Sequence, residues 1–185
     1  MTRIIVTGKI CAPFVYDHES HGENFYRATL EVPRLSGSVD LLPIIVREGQ
    51  TLPVLTDCEI VGEIRTRANR REDGFHIDSY VFVYNIEETA SEGENEARVE
   101  GVLSKEPTLR ETPFGRTICD LMIKSKRRKD KSDLIPCVAW GKDAVLLSRA
   151  HKGDRIQLSG RWQSRTYEKN GEQTTYEVSV REVRE

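Results

Sequence analysis

Short apolar runs divide the 185-residue chain into predicted strands. Many of these runs are rich in β-branched residues and alternate with polar positions, which is typical of half-buried β-strands. Gly8, Gly62 and Gly160 interrupt three of them, and a glycine inside a strand predicts a bulge or a tight bend. Five runs lie in residues 3–86 and five in residues 97–183: RIIVTGKI, FYRATLEV, DLLPIIV, CEIVGEIRT and FHIDSYVFVYNI, then ARVEGVL, TICDLMIK, DLIPCVAW, RIQLSGRWQSRTY and TTYEVSVREV.

One segment, KDAVLLSRAHKG at residues 142–153, has the periodicity of a helix. Gly153 follows its last turn and is predicted to be the C′ residue that ends the helix. The first half of the chain has a shorter, Pro53-containing segment at the same place, so no proper helix is expected there. Three small or apolar residues of the predicted helix share one stripe: Ala144, Leu147 and Ala150.

The chain repeats itself at a constant offset. DLLPIIV begins at Asp40 and DLIPCVAW begins at Asp133, 93 residues later, and each places a proline inside a predicted strand. Similarity at a fixed spacing indicates an internal duplication. We therefore predict a first domain at residues 1–88, an acidic linker at 89–96 and a second domain at 97–185. The same offset relates other pairs: Pro43 and Pro136, Gly8 and Gly101, Gly22 and Gly115, and Arg34 and Arg127.

The order of the predicted elements indicates a fold. Five strands with a helix between the third and fourth match the OB-fold barrel. Asp73-Gly74 and Asn170-Gly171 are strong hairpin signals between the fourth and fifth strands of each copy. We expect an all-β (mainly β) protein of two tandem five-stranded OB-fold barrels, with a short helix between strands 3 and 4 that is clearest in the second.

The net charge of −2 conceals a difference between the copies. Residues 1–93 carry 9 Lys/Arg and 15 Asp/Glu, a balance of −6, whereas residues 94–185 carry 19 and 15, a balance of +4. We expect a polyanion to bind the second copy in preference to the first.

Composition also argues against several classes of protein. The absence of a long apolar run or a signal-peptide pattern predicts no membrane association. Cys11, Cys58, Cys119 and Cys137 lack metal-type spacing and form no evident disulfide framework, which favours the reducing cytoplasm. Cys119 and Cys137 are interpreted as core residues. The sequence has no phosphate-binding glycine loop and no nucleophile elbow, so we expect no enzymatic activity, no metal and no cofactor.

Two basic clusters are candidates for phosphate contact. KSKRRKDK lies between the second and third strands of the second copy, although a solvated hairpin tip that resists edge pairing is an alternative reading. RTRANRR begins the long hairpin of the first copy, where GRWQSRTYEK stands in the second, and cations interleaved with aromatic rings suit unpaired nucleic acid. The basic candidates are Lys124, Lys126, Arg127, Arg128, Lys129 and Lys131, together with Arg65, Arg67, Arg70 and Arg71.

Strand alternation sorts the aromatic residues of the second copy. Trp162 shares the apolar face of its strand and is predicted to lie in the core. Arg161, Arg165 and Tyr167 point to the opposite face. Trp140 shares a face with Leu134, Pro136 and Val138, but both faces of its strand are apolar, so alternation leaves its direction open.

The second copy resembles the bacterial single-stranded DNA-binding proteins over almost its whole length. The resemblance rests on ordered motifs in VEGVLSKEPTLRETPFGRTICDLMI and CVAWGKDAVLLSRAHKGDRIQLSGRWQSRTYEKNGEQTTYEVSV, with fainter traces such as VTGKI and GEIRTR in the first copy. It implies an OB fold, no catalysis, and sequence-tolerant binding of single-stranded DNA in replication, recombination or repair. It also implies a bacterial cytoplasmic, nucleoid-associated protein.

Carried over by position, the resemblance implies that Trp140 and Tyr167 stack on bases, which directs Trp140 to the binding face. Leu134 and Lys129 occupy two further positions of the same kind. Their counterparts in the first copy include Arg47, Asn69 and Leu41, so its stacking platform is expected to be lost. The sequence stops at VREVRE without the family's acidic tail, so recruitment of partner proteins through such a tail is not expected.

Two other functions stay open. One is a primosome-type or RNA-binding OB protein. The other is an oligomerisation module that binds no nucleic acid. Family members with one OB fold act as tetramers, so we expect a homodimer of this chain, which would bring four OB folds together.

Overall fold

The computed structural model describes residues 1–91, 93–168 and 171–184. The strands are β1 (Thr2–Ile10), β2 (Val15–Ser20), β3 (Glu23–Pro33), β4 (Val39–Arg47), β5 (Asp57–Arg71), β6 (Gly74–Glu88), β7 (Asn95–Leu103), β8 (Thr108–Glu111), β9 (Thr117–Lys126), β10 (Ser132–Trp140), β11 (Arg155–Glu168) and β12 (Glu172–Arg184). A helix, α1 (Gly141–Leu147), follows β10.

The mainly-β prediction is confirmed, and each of the ten predicted runs is a strand. β2 and β8 were not predicted, because VYDHES is largely polar and TLRE is four residues long. Both add to the edge of a longer strand, β2 to β3 and β8 to β9. The Asp73-Gly74 hairpin is confirmed by the turn between β5 and β6. β11 and β12 also pair as predicted, although Asn170 lies outside the described residues.

The chain divides into two compact units. The first unit comprises Arg3–Arg65 and Ser79–Asn95, and the second comprises Met1–Thr2, Thr66–Asp78 and Glu96–Glu185. The tip of the β5–β6 hairpin therefore belongs to the second unit. The boundaries predicted from the sequence, with a linker at 89–96, stay a prediction.

Each unit contains a closed five-stranded barrel. In the first unit, β3 pairs with β4, β4 runs parallel to β6, β6 neighbours β5, and β1 joins β5 back to β3. In the second unit, β9, β10, β12, β11 and β7 follow the same order, and the pairing of β7 with β9 closes the barrel. This is the strand order expected of an OB fold.

The two strand prolines occupy equivalent positions next to a short parallel ladder. The register of β4 with β6 begins at Ile44, one residue after Pro43. The register of β10 with β12 begins at Cys137, one residue after Pro136. Each proline thus lies just outside the parallel ladder, where a missing N–H costs that ladder no paired residue.

Four glycines mark places where two backbones come too close for a side chain. An added Cβ would lie 2.6 Å from the carbonyl oxygen of Glu31 at Gly8 and 2.2 Å from that of Phe82 at Gly62. In the second barrel, the corresponding distances are 2.3 Å at Gly101 and 2.0 Å at Gly160, the latter to Ser179. The register of β11 with β12 shifts between Ser159 and Gly160, which confirms the predicted irregularity at Gly160. At the other three glycines the structure shows close approach of two backbones.

The helix is shorter than predicted. It ends at Leu147, and Ser148 donates its backbone N–H to Ala144 at 3.0 Å. Gly153 has a φ of +94°, as a C′ glycine would, but the prediction of its role was wrong. Its N–H donates instead to the carbonyl of Leu103 on β7 at 2.9 Å, so the segment after the helix turns back onto the barrel. Ala144 and Leu147 are buried as predicted.

The core of the second unit confirms the predictions drawn from strand alternation. Trp162 is 1% exposed and packs against Tyr176, with ring centroids 5.5 Å apart. Cys119 and Cys137 are buried and free. Burial raises the pKa of the Cys137 thiol, so this side chain behaves as a small apolar residue.

The residues around Gly160 lead to a test of barrel closure. Gly160→Ala should lower the free energy of unfolding by about 1–3 kcal/mol, because its Cβ would collide with backbone atoms that cannot rotate away. Ser159→Ala, one residue earlier on the same strand, is the control and should cost less. The thermal unfolding midpoint measures both changes. An unchanged midpoint for Gly160→Ala would show that the strands can separate here without cost.

Candidate nucleic-acid interface

One side of β10 is turned away from the core of the second unit. Ile135, Cys137 and Ala139 are buried on the inner side. On the other side, Leu134 is half-buried and Trp140 is 37% exposed. The structure therefore gives Trp140 the direction that alternation alone left open.

Sheet pairing joins further predicted residues to this side. Lys124 on β9 lies opposite Leu134. Val138 pairs with Ser179 on β12, and the indole N–H of Trp140 donates to Ser179 Oγ at 3.0 Å. Paired residues share a face of the sheet, and faces alternate along a strand. Residues of β11 therefore lie on the same side of the sheet as Trp140 and Leu134. They are Arg161 opposite Ser179, Arg165 opposite Thr175, and Tyr167 opposite Gln173. We call this surface the open face.

Two carboxylates on the open face were missed by the sequence analysis. Asp120 accepts two hydrogen bonds from Arg110, from Nε at 2.5 Å and Nη2 at 3.2 Å. Glu177 lies opposite Gln163, and its Oε2 is 3.9 Å from Nη1 of Arg165. Burial, and then the charge of Asp120, raise the pKa of Glu177 despite opposing effects of Arg165, Gln163 and Arg110. Alternation in TTYEVSV could have placed Glu177 on this face.

The basic run of the second copy forms the hairpin between β9 and β10. Lys126, Arg128, Lys129 and Lys131 are exposed there. Arg127 is different, because its guanidinium donates two hydrogen bonds to Asp133, which is 4% exposed. Arg127 therefore fixes the hairpin instead of offering its charge to solvent.

The same clamp occurs in the first unit, at the repeat offset. Arg34 donates to Asp40 from Nε at 2.9 Å and from Nη2 at 2.5 Å, and Asp40 is fully buried. The Arg–Asp pair thus belongs to the duplicated framework. The repeated residues were visible in the sequence, but their pairing was not inferred from it.

In the first unit, Arg47 and Arg65 cover an aromatic ring. The guanidinium of Arg65 lies 3.5 Å from the centroid of Phe82, and that of Arg47 lies 5.5 Å from it. Arg65 Nε also donates to Glu63 at 2.5 Å. Arg47 lies 3.4 Å from Glu23. Both arginines are therefore engaged in cation–π contacts and ion pairs.

The surface beneath these arginines is aromatic, although Arg47 and Asn69 stand at the positions of Trp140 and Tyr167. Phe25 and Phe82 pack with centroids 5.8 Å apart, and His18 stacks on Phe25 at 4.7 Å. Tyr84 meets Phe82 edge-on at 5.8 Å and is 47% exposed. The alternating aromatic residues of SYVFVYNI could have predicted this aromatic surface.

The remaining candidate arginines of the first copy, Arg67, Arg70 and Arg71, lie on the hairpin tip within the second unit. Arg67 and Arg70 are exposed, and Arg71 donates to Asp78 at 2.8 Å. In the same unit, Thr66 donates its N–H to Asp133 at 2.8 Å and accepts from the N–H of Leu134 at 2.9 Å. The tip is therefore anchored at the end of β10, beside the open face.

Two findings on the described part of the chain concern metal ligands and membrane-spanning helices. Within it, no group of three or more His, Cys, Asp or Glu side chains is placed to hold a metal ion. Across residues 1–91, 93–168 and 171–184, no helix has the length and apolar character needed to cross a membrane.

Comparison with known proteins places the second copy in a family. The single-strand binding protein family model matches residues 94–184. A single-stranded DNA-binding protein of Streptococcus pyogenes is 34% identical over 87 residues, which cover 43% of this chain and 67% of that protein. The chain belongs to the single-strand binding protein family. A relative from Clostridium tetani is 39% identical over 75 residues, 37% of this chain and 52% of the relative. The chain thus spans about half the length of that relative.

A solved structure resembles the whole chain. The single-stranded DNA-binding protein of Thermus aquaticus matches with a TM-score of 0.80 at 17% identity, over 100% of this chain and 92% of the other. At this identity the likeness shows the fold, and it agrees with two OB-type barrels in one chain.

Proposed function

We propose that this chain binds single-stranded DNA with little sequence preference, through the open face of the second unit. The observation that carries the proposal is that one sheet surface brings together aromatic, apolar and cationic residues predicted from the sequence: Trp140, Tyr167, Leu134, Lys124, Arg161 and Arg165. Membership of the family and the names of the relatives support it.

The chemistry follows from the two kinds of side chain. Flat rings can stack on any unpaired base, so Trp140 and Tyr167 give affinity without reading sequence. The exposed cations of the β9–β10 hairpin contact phosphates: Lys126, Arg128, Lys129 and Lys131. We leave Arg127 out of this set because it holds Asp133. No step in this function requires catalysis or a cofactor.

We assign most of the affinity to the second unit. Arg47 and Arg65 of the first unit are occupied by Phe82 and by carboxylates. The first copy also has a net charge of −6 over residues 1–93, which disfavours a polyanion. It extends the DNA path through Arg67, Arg70 and Arg71, or it builds the oligomer. The cellular setting we infer is replication, recombination or repair at the bacterial nucleoid.

RNA binding and pure oligomerisation are the competing functions. Titration with a dT oligonucleotide, the matching RNA and duplex DNA separates them. Tight binding of dT alone supports the proposal, whereas a preference for RNA supports the second candidate. Binding of none of the three would leave oligomerisation.

We propose a homodimer, which would bring four OB folds together as in tetramers of single-fold members. Light scattering at micromolar concentration should then give twice the mass of the chain. A mass equal to one chain would contradict the dimer, and it would leave the assignment of the open face unaffected.

The two aromatic residues lead to a first binding prediction. Trp140→Ala and Tyr167→Ala should each weaken dT binding by about 1–3 kcal/mol, because each removes one stacking surface. Fluorescence anisotropy with labelled dT measures the affinity, and the thermal midpoint checks the fold. Trp140→Phe is the control that keeps a ring and should retain much of the affinity. Unchanged dT affinity in a folded Trp140→Ala protein would place the site elsewhere.

Salt dependence tests the division between the copies. Neutralising Lys126, Arg128, Lys129 and Lys131 should flatten the plot of log affinity against log salt by about 0.7 for each phosphate that the protein no longer neutralises. The comparison variant neutralises Arg67, Arg70 and Arg71 and should change the slope less for each charge removed. If the arginine variant has the larger effect, the main phosphate path runs along the hairpin of the first copy.

A further inference from the structure

Glu177 stands at an unexpected place for a protein that binds a polyanion. It lies on the open face between Thr175 and Ser179 of β12, and its side chain is 12% exposed. Cys137 of β10 pairs in parallel with Val178 of β12, so the residues before them, Pro136 and Glu177, are also neighbours. The carboxylate therefore lies beside the apolar part of β10. A negative charge in the middle of a DNA-binding surface repels phosphate, so it needs a separate explanation.

The neighbouring side chains do not use all the hydrogen-bond acceptor positions of the Glu177 carboxylate. Asp120, the other acid on the open face, is held by two hydrogen bonds from Arg110. Arg165 lies 3.9 Å from Glu177, beyond hydrogen-bond distance. Gln163 contributes a side-chain hydrogen bond to Glu177. A carboxylate has about four acceptor positions, and these neighbours from the described residues use part of that capacity.

The chemistry of a carboxylate suits base edges and not phosphates. Cytosine and adenine present an exocyclic amino group, and a carboxylate accepts a hydrogen bond from such a group. Thymine presents a carbonyl oxygen at the same place, which a carboxylate repels, and its donor is instead the neighbouring ring N3–H. Stacking on Trp140 and Tyr167 brings bases, and not phosphates, toward this part of the surface.

We propose that Glu177 accepts a hydrogen bond from the exocyclic amino group of a bound base. One position of the open face then favours cytosine or adenine over thymine, within an otherwise sequence-tolerant site. This inference rests on the proposed function, because it requires that bases lie on the open face.

The test compares dC and dT oligonucleotides of equal length, since both are pyrimidines and differ at the group in question. Anisotropy at one salt concentration gives the ratio of dC to dT affinity for the natural protein, Glu177→Leu and Glu177→Gln. Glu177→Leu removes the acceptor and should lower the ratio about tenfold, the size of one charge-assisted hydrogen bond. Glu177→Gln keeps a neutral acceptor and should lower it less.

Two controls separate base reading from other effects. Glu111 follows Arg110 on β8, so alternation turns it away from the open face. Glu111→Leu removes the same charge there and should leave the ratio of dC to dT affinity unchanged. Thermal midpoints check that each variant folds, and Glu177→Gln is expected to fold because it removes a charge that burial disfavours.

The outcomes separate the inference from the proposed function. A lower ratio in Glu177→Leu with the ratio of Glu111→Leu unchanged supports the inference. Equal changes of dC and dT affinity in Glu177→Leu overturn it, while the proposed function stands. If the natural protein binds neither oligonucleotide, both proposals fall.

Discussion

The closure of each barrel depends on two places where a side chain has no room. At Gly8, Gly62, Gly101 and Gly160 a strand crosses so close to its neighbour that a Cβ would enter the carbonyl oxygen of the opposing backbone. Without these close crossings the sheet would stay open, and the third strand of each copy would have no defined inside. Because the barrel closes, one side of that strand is buried and the other is presented to solvent. The open face is therefore a consequence of the glycines as much as of the aromatic residues it carries.

Features that depend on local alternation were predictable from the sequence, and features that depend on sheet register were not. Period-two patterning located the strands and placed Trp162 in the core, since burial repeats with the pleat. The clamp formed by Arg127 and Asp133 depends on which residues meet across a hairpin, and charge composition contains no information of that kind. Alternation could place Glu177 on the open face, but its neighbours Asp120, Gln163 and Arg165 come from other strands and depend on register. The helix ended early because the segment after it returns to β7, which is a tertiary constraint.

The duplication preserved the framework and let the surfaces diverge. Both copies keep the glycine crossings, the strand proline and the buried Arg–Asp clamp, which are the parts that close and fix the barrel. On the outward side of the third strand, the second copy has Trp140 at the position where the first has Arg47. That arginine and Arg65 lie over Phe82, so the aromatic surface of the first copy is covered by its own cations. The framework constrains only buried positions, and the exposed ones were free to change.

Under the proposed function, the distribution of charge on the open face sets which side of a bound strand turns toward the sheet. Exposed cations are concentrated on the β9–β10 hairpin, and Lys124 and Arg165 add two on the sheet itself. The two carboxylates lie within the sheet surface, where Arg110 holds Asp120 and burial raises the pKa of Glu177. A polyanion lowers its energy by placing phosphates near the hairpin and away from the carboxylates. Its bases must then turn toward the sheet, where Trp140 and Tyr167 can stack on them. In this proposal Glu177 keeps phosphates away from its own part of the sheet, while Trp140 and Tyr167 hold the bases.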